Sequence, residues 1–389
     1  MLLRKITKNF IYNNVFCKKV TSKGGFSVFF LDICHTNDKL PLLKSILKMK
    51  KSLMTLGVLA LFVLMAYGQE KKFALYSVAF YNMENLFDTI HDEGKNDYEY
   101  LPNGTNQWNT MKYKAKLKNM SEILSMLSTD KLPMGPAIIG VSEIENYRVL
   151  EDILKQPALA DRGYQYVHYE GADQRGVDCA FFYNPKLFEL TNSKLVPYVY
   201  INDTVHKTRG FLIASGNIAG EKMHFIVNHW PSRAAASPAR ERAGEQVRAI
   251  KDSLLREDSA AKIVIMGDMN DDPMDKSMAV ALGAKRKPAD VGPTDLYNPW
   301  WDTLKKGYGT LMYKGKWNLF DQIVFTGNLL GTDRSTLKFY KHEIFRRDFM
   351  FQKEGKYKGY PKRTQAGGVW LNGYSDHLPT IIYLIKEVK

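Results

Sequence analysis

The sequence predicts a single α/β domain that occupies residues 69–389. Short apolar segments alternate with segments of helical spacing in the first half of this range. Strand-like segments predominate towards the carboxyl end. The sequence shows no internal repeat and no linker long enough to divide the range, so one large core is expected.

The first elements alternate in type along the chain. Phe73–Tyr81 is rich in β-forming residues and predicts a strand, and the polar residues 91–110 predict a loop. From Thr110, the predicted N-cap, apolar side chains at helical spacing indicate a helix that reaches Leu127. The continuous apolar run Pro136–Val141 is typical of a buried strand.

The later elements follow from the same criteria. A short helix is predicted near residues 147–155, and a longer helix over Ala239–Arg256. The apolar run Lys262–Met266 predicts another buried strand. The other strands are predicted near residues 164–169, 179–183, 209–214, 222–228, 320–326, 337–345 and 379–385.

A targeting signal is predicted near the amino terminus. The cationic Met49–Ser52 precedes the apolar run Leu53–Met65 and small residues, which is typical of a cleaved signal peptide over residues 49–68. This pattern predicts a secreted or periplasmic protein. The run is short for a bilayer, and the alternatives are a buried helix or a membrane anchor. We interpret residues 1–48 as upstream over-translation before a true start at Met49.

Composition and charge limit the function classes. The chain is 45% hydrophobic and 25% charged, which excludes a disordered protein. The net charge is +14, but 11 of the 55 basic residues and only two of the 41 acidic residues lie before residue 69. The remainder is mildly basic, which suits an anionic substrate without requiring one. Cys179 is the single cysteine after residue 68, so no internal disulfide is expected there.

Polar side chains cluster where predicted strands end, which is the edge at which α/β folds place their sites. Each cluster alone is explained by a cap, a turn or a structural hydrogen bond. Their repetition along one chain favours a shared site. The clusters are Asn82-Met83-Glu84, Glu143, Asn228-His229, Asp268-Met269-Asn270, Asp321 and Ser375-Asp376-His377.

Together these residue types indicate phosphate chemistry. Carboxylates without cysteine favour Mg²⁺, Mn²⁺ or Ca²⁺ over structural zinc. His229 and His377 supply groups that titrate near neutrality. The side chains that suit phosphate oxygens are Asn82, Asn228, Asn270, Arg209 and Arg233. The set therefore predicts metal-assisted hydrolysis of a phosphate ester.

The order of the motifs resembles the endonuclease/exonuclease/phosphatase superfamily, in its deoxyribonuclease-like and sphingomyelinase-like branch. The resemblance runs from about Val78 to Leu384. It implies a four-layer sandwich of two mixed β-sheets flanked by helices, with the site at one end of the sheets. The motifs that carry it are NMEN (82–85), Glu143, DCAFFY (178–183), NHWPSR (228–233), GDMND (267–271), FDQIVF (320–325) and SDHLP (375–379).

The resemblance implies a metal centre for Mg²⁺, or for Mn²⁺ or Ca²⁺. Glu143 matches the principal metal ligand, with Asn82 and Glu84 beside it. Asp376 is a further candidate ligand.

The resemblance also implies catalytic roles. His377 matches the general base or phosphate-stabilising histidine, which Asp321 orients. Asp268 and Asn270 match the pair that positions the nucleophile and the scissile phosphate. His229 matches the second histidine, the acid for the leaving group.

Three further residues have implied supporting roles. Asp178 is a candidate to orient His229, and Arg209 and Arg233 are candidate phosphate contacts. The basic segment Lys353–Arg363, which carries tyrosines, is either a contact for an anionic substrate or a solvated loop. The pair Trp300-Trp301 either stacks on bases or enters a lipid interface, or it packs in the core.

We predict a secreted, metal-dependent phosphodiesterase, an endonuclease or exonuclease of low sequence specificity. The alternatives are a sphingomyelinase-like phospholipid phosphodiesterase and a phosphomonoesterase. A non-catalytic secreted binding protein is the alternative from another class. The expected partner is nucleic acid or another phosphodiester, with a membrane lipid as the alternative substrate. We expect a monomer without an obligate protein partner.

Overall fold

The computed structural model describes residues 48–49, 51–52, 54–55, 71–201, 203 and 205–388. The predicted over-translated segment and signal peptide fall almost wholly outside these residues, so both stay predictions. Within the described part of the chain, no helix is both long enough and apolar enough to cross a bilayer.

Strands and a few helices build residues 71–388. The helices are α1 (Thr110–Met126), α2 (Tyr147–Leu154), α3 (Ser237–Glu257) and α4 (Trp301–Lys305). The strands are β1 (Lys72–Leu86), β2 (Ile138–Ile144), β3 (Gln165–His168), β4 (Asp178–Tyr183), β5 (Glu189–Val196), β6 (Phe211–Ile218), β7 (Glu221–His229), β8 (Lys262–Asp268), β9 (Ala284–Lys285), β10 (Leu296–Tyr297), β11 (Leu311–Tyr313), β12 (Lys316–Asn318), β13 (Asp321–Thr326), β14 (Lys338–Ile344), β15 (Gln365–Ala366), β16 (Val369–Trp370) and β17 (Thr380–Val388).

Two mixed sheets form the centre of the fold. The first has six strands in the order β14-β17-β1-β2-β4-β3, and the second has seven in the order β5-β6-β7-β8-β13-β10-β9. The β1–β2 and β7–β8 pairs are parallel, whereas β1–β17 and β8–β13 are antiparallel. Two short hairpins, β11–β12 and β15–β16, stand outside these sheets.

The sheets pack face to face over a shared apolar core. Val78 and Phe80 of β1 belong to the same buried cluster as Val264 and Met266 of β8. The sheets are so close at Gly140 that an added Cβ would lie 2.6 Å from the Met266 sulfur. Glycine is therefore required there because a side chain would push the sheets apart.

Helices cover the outer faces of both sheets. Leu117 of α1 and Leu150 of α2 share a buried cluster with Tyr81 of β1. Val247 of α3 packs in another cluster with Ile265 of β8. The order helix, sheet, sheet, helix confirms the four-layer sandwich that the sequence implied.

The sequence misplaced or missed several elements. The side chain that caps α1 belongs to Asn109, which accepts from the Lys112 amide, and not to Thr110. Strand β5 was missed because Glu189–Val196 is polar and mostly exposed at a sheet edge. The short β11–β12 and β15–β16 hairpins also escaped prediction because two or three residues carry little periodicity.

The strand register brings the predicted polar clusters to one end of the sandwich. Asn82 pairs with Ser142, which places Glu143 beside the end of β1. Asp268 pairs with His229 on one side and with Asp321 on the other. The site is thus formed by strand ends from both sheets.

Candidate active site

A hydrogen bond between His377 and Asp321 defines one side of the site. The His377 Nδ1 atom lies 2.7 Å from the Asp321 Oδ2 atom. The His377 amide donates to the Ser375 hydroxyl, which itself donates to the Asn82 carbonyl. These contacts turn the imidazole so that Nε2 faces Asp268, with 3.8 Å between Nε2 and Oδ2.

The environment of His377 stabilises its charged form. Burial disfavours the imidazolium, but the carboxylates of Asp321, Asp268 and Asp376 outweigh this effect and raise the pKa of His377 well above its usual range. Asp321 is fully buried. This direction favours the imidazolium, the form of His377 that can donate a proton.

Asn82 connects the two sheets at the centre of the site. Its Nδ2 atom donates to Glu143 Oε1 at 3.1 Å and to Asp268 Oδ2 at 3.0 Å. The Asn85 amide donates to the other oxygen of Glu143 at 3.0 Å. Glu143 has a left-handed backbone, with φ of 58°, which is unusual for a residue with a side chain. The strand end is therefore bent where its carboxylate enters the site.

His229 faces the same carboxylates from the second sheet. Its Nε2 atom lies 3.6 Å from Glu143 Oε1 and 3.8 Å from Asp268 Oδ2. Its Nδ1 atom is buried and has no hydrogen-bond partner among the described residues. Burial lowers the pKa of His229 well below its usual range, and Arg209 and Arg175 lower it further.

The donor set fits a divalent cation. Among the described residues, Glu143, Asp268 and Asp321 have histidine nitrogens, and no lysine or arginine nitrogen, within salt-bridge distance. One imidazolium at His377 leaves these three carboxylates with excess negative charge. Burial raises the pKa of Asp268, which reflects the cost of that charge. A hard cation would relieve the cost, and oxygen ligands are those that Mg²⁺ prefers.

Two predicted metal ligands form ion pairs with Arg363 beside the site. Glu84 accepts from Arg363 Nε at 2.9 Å and from the Thr364 amide at 2.7 Å. Asp376 Oδ2 lies 3.0 Å from Arg363 Nη2, and its Oδ1 lies 3.9 Å from His377 Nε2. Neither belongs to the groups of closely spaced donors, which are Glu143–His229–Asp268, Asp268–Asp321–His377 and, away from these, His168–Glu170–Asp178. The structure therefore pairs Glu84 and Asp376 with arginine rather than with Glu143.

Sequence reasoning missed Lys116 in this network. Its side chain is fully buried, and Nζ donates to Thr364 Oγ1 at 2.5 Å and to the Tyr374 carbonyl at 2.6 Å. The same Nζ lies 3.8 Å from Glu84 Oε2. The sequence did carry one indication of this role. Lys116 lies between Tyr113 and Leu117, which are apolar positions on the buried face of a predicted helix.

Asp178 does not orient His229. It accepts instead from His168 Nε2 at 3.2 Å and from the Gly171 amide at 3.0 Å. The physical reason is that these two donors hold the Oδ2 atom of Asp178, while the Nδ1 atom of His229 has no hydrogen-bond partner among the described residues.

The amide of Asn228 is used inside the fold. Its Nδ2 atom donates to the carbonyls of Ile226 and Met266, so it bridges β7 and β8. The side chain is fully buried and presents no donor to a substrate. Asn270 lies closer to the site, because its backbone N–H donates to Asp268 Oδ1 at 2.9 Å. Its side-chain Nδ2 atom, however, donates to the Trp230 carbonyl.

The two predicted phosphate-binding arginines also have protein partners. Arg209 is buried and donates to Asp173 at 3.0 Å and to the Trp230 carbonyl at 2.8 Å. Arg233 is partly exposed and donates to Asp275 at 2.9 Å and to the Asn270 carbonyl at 3.1 Å. Arg209 thus holds the chain segment that follows His229, and Arg233 holds the loop that follows Asp268.

The aromatic candidates divide between core and cavity. Trp300 is fully buried and donates to the Ile323 carbonyl, which confirms the packing alternative. The segment Lys353–Arg363 lines a cavity of about 1020 Å³ beside the site. The β11–β12 and β15–β16 hairpins contribute to the same wall.

This constellation, two histidines and a group of buried carboxylates at the ends of two packed sheets, defines a phosphoester-hydrolase class of site. The sequence profile of the Endonuclease/Exonuclease/phosphatase family matches residues 77–386, a range that contains all of these residues. The chain therefore belongs to that family of phosphoesterases.

Solved structures of the same fold share little sequence with this chain. A family member from Bacteroides thetaiotaomicron is 15% identical, with a TM-score of 0.51 over 82% of this chain and 98% of its own. ANGEL2, a 2′,3′-cyclic phosphatase, is 12% identical, with a TM-score of 0.50 over 83% and 100%. The B. thetaiotaomicron mannosyl-6-phosphatase Bt3783 is 14% identical, with a TM-score of 0.49 over 79% and 99%. A search of curated protein sequences finds no match.

Proposed function

We propose that the protein hydrolyses phosphate esters with the help of a divalent cation, Mg²⁺ or Mn²⁺. The observation that carries this proposal is the His377–Asp321 hydrogen bond of 2.7 Å, directed at the carboxylate cluster of Asp268 and Glu143. A positioned imidazole beside a charge-rich, buried centre suits hydrolysis by water.

Glu143 and Asp268 would hold the cation, because their carboxylates are close together and have no lysine or arginine partner among the described residues. Such an ion polarises the phosphate and lowers the pKa of a bound water. Asn82 keeps the two carboxylates in register through its two hydrogen bonds.

The histidines supply the protein's own proton chemistry. The Asp321 contact occupies His377 Nδ1, so Nε2 is the atom that donates to a phosphate oxygen or exchanges a proton with water. His229 presents Nε2 3.8 Å from the same Asp268 oxygen that His377 Nε2 faces. Its lowered pKa favours a proton acceptor, whereas the resemblance implied the acid for the leaving group. The two imidazoles therefore offer one proton donor and one proton acceptor beside the same carboxylate.

We retain the low-specificity nuclease as the first substrate hypothesis, with phospholipid and small phosphate esters as alternatives. The test is an assay of the purified chain with plasmid DNA, RNA, sphingomyelin liposomes and p-nitrophenyl phosphates. Each substrate is offered with Mg²⁺, with Mn²⁺ and with EDTA. We expect turnover that EDTA abolishes and that His377→Ala reduces at least ~10²-fold.

The outcomes separate the hypotheses. Nicking of the plasmid supports the nuclease, and liposome hydrolysis with intact plasmid supports the lipid enzyme. Turnover that is insensitive to EDTA contradicts metal dependence. Binding without turnover on any substrate supports the non-catalytic alternative.

We also propose that the protein is secreted, on the strength of the signal-like sequence at residues 49–68. Amino-terminal sequencing of the exported protein tests this proposal. A mature terminus near Gln69 is expected, and recovery of any peptide from residues 1–48 would contradict our choice of start.

A further inference from the structure

The cavity lies next to the proposed metal centre. Asn85 and Asp376 belong to its lining. The Asn85 amide donates to Glu143 at 3.0 Å, and Asp376 Oδ1 lies 3.9 Å from His377 Nε2, so both lining residues also contact the centre. A group that leaves the phosphate has space to extend in this direction.

Aromatic side chains line the cavity. Tyr100 stacks on Phe87 with 4.2 Å between ring centroids. Trp108 is fully buried and presents no exposed face, and its indole nitrogen donates to the Phe87 carbonyl. Tyr313 and Tyr357, which are 62% and 50% exposed, line the cavity from two different segments. Such faces pack against the flat surface of a sugar or a base.

The charges along the lining balance one another. Lys314 and Lys356 are offset by Glu99 and Glu354. Arg363 also lines the cavity, but Glu84 and Asp376 already pair with it. A groove for a nucleic-acid strand needs a net positive lining, since phosphate contacts supply most of that affinity. Here three basic side chains face four acidic ones, so the lining is not net positive.

The size and the polar groups fit a single compact unit. The volume of about 1020 Å³ lies at the upper end of small-molecule pockets, which span ~300–1,000 Å³. The amide side chains of Asn106 and Gln352 line the cavity next to the rings. Amide groups beside an aromatic face can bind hydroxyl groups while the ring packs.

We infer that this cavity receives the leaving group of a small phosphate ester, and that this group is an uncharged, hydroxylated ring such as a sugar or a nucleoside. The inference rests on the proposed phosphoesterase function. The cavity then selects the substrate, and the inference favours the small-ester alternative over the nuclease that was placed first among the substrate hypotheses.

The test compares three sets of esters with the full chain. Glycerol 3-phosphate carries no ring, glucose 6-phosphate and AMP carry a sugar or a nucleoside, and a ten-residue oligothymidylate represents the polymer. We expect kcat/KM at least tenfold higher for a ring-bearing ester than for the other two sets. Comparison of glucose 6-phosphate with AMP distinguishes the sugar from the nucleoside.

Variants of the exposed cavity tyrosines test whether the cavity causes the preference for ring-bearing esters. Tyr313→Ala and Tyr357→Ala should each lower the ring-bearing to ringless ratio of kcat/KM about tenfold, mainly through KM. Tyr340→Ala removes a tyrosine of similar exposure (53%) from the sheet edge and should leave the ratio unchanged. Preference for the oligonucleotide, or an unchanged ratio in both cavity variants, would overturn the inference.

A binding measurement separates failure of the inference from failure of the proposed function. If no ester is hydrolysed, glucose 6-phosphate and AMP are titrated into the full chain by calorimetry. Saturable binding that Tyr313→Ala weakens at least tenfold supports the ring site without catalysis. Absence of binding by both probes refutes it.

Discussion

Asn82 and Asp268 join the two sheets at the site, because the Asn82 Nδ2 atom donates to Asp268 Oδ2 at 3.0 Å across the sandwich. Residues that lie 186 positions apart in the sequence thus meet through one hydrogen bond. The same nitrogen donates to Glu143 at 3.1 Å. One neutral side chain therefore holds two buried carboxylates near each other.

Asn82→Ala should lower activity about 10–100-fold, the range seen when a residue that orients metal ligands is removed. The physical reason is that Glu143 and Asp268 lose their shared donor and repel one another. Steady-state kinetics at several Mg²⁺ concentrations measure the change, and we expect a higher Mg²⁺ requirement. A variant with normal kinetics and normal Mg²⁺ dependence would remove Asn82 from the site.

Asp321→Asn should reduce kcat by ~10²-fold or more while the protein stays folded. The amide cannot stabilise an imidazolium at His377 Nδ1, so the proton at Nε2 is lost near neutral pH. The pH profile of kcat should shift towards acid. Asp333→Asn changes an exposed carboxylate in the same way and should behave as the wild type. Equal rates in both variants would show that the His377–Asp321 contact is only structural.

Lys116→Met should lower the free energy of unfolding by about 3–5 kcal/mol, because it leaves the buried Glu84 carboxylate with one cation fewer. Urea denaturation measures the loss. Adding Glu84→Gln should restore part of it, since the uncompensated charge disappears. Lys118→Met, at a position where the side chain is 71% exposed, should change stability by less than about 1 kcal/mol. Equal effects of the two lysine substitutions would contradict a buried ion-pair role.

His342 should make the fold sensitive to acid. Burial lowers its pKa to about 4, with Lys306 acting in the same direction, and its Nε2 atom bonds to Thr303. The unfolded chain takes up this proton near pH 6.5 and the folded chain does not, so stability falls as the pH drops from about 6.5 to 4. The loss is at most about 3 kcal/mol.

Denaturation of His342→Gln between pH 7 and pH 4 checks this expectation, and the variant should lose less stability than the wild type. His206→Gln, at a site whose side chain is 76% exposed, serves as the control and should follow the wild type. Identical pH dependence in all three proteins would show that His342 is not the acid-sensitive group.

Several parts of the fold followed from local patterns. The buried strands β2 and β8 were predicted because continuous apolar runs leave few alternatives. Helix α3 was predicted within two residues at each end. Strand β5 was not predicted, since five of its eight residues are polar and only Leu190, Leu195 and Val196 pack on the core.

The candidate site was also predictable only in part. Asp321, Asp268, Glu143 and His377 were predicted and do lie together, because the end of β8, the start of β13, the last residues of β2 and the segment before β17 meet at the same edge. The partner of Glu84 could not be predicted, since Arg363 lies 279 positions away in an irregular segment. Nothing local in the sequence relates those two positions.

The sequence by itself determined which residue types occupy the strand ends, because apolar runs and the polar residues that follow them are local features of the chain. Only the tertiary structure decided how those polar groups pair. Glu84 accepts a hydrogen bond from Arg363, and the Asp178 carboxylate bonds to His168. Asn228 donates to a backbone carbonyl within its own sheet. The reason is that a buried polar group takes the nearest partner that three-dimensional packing provides, and that partner is set by long-range contacts.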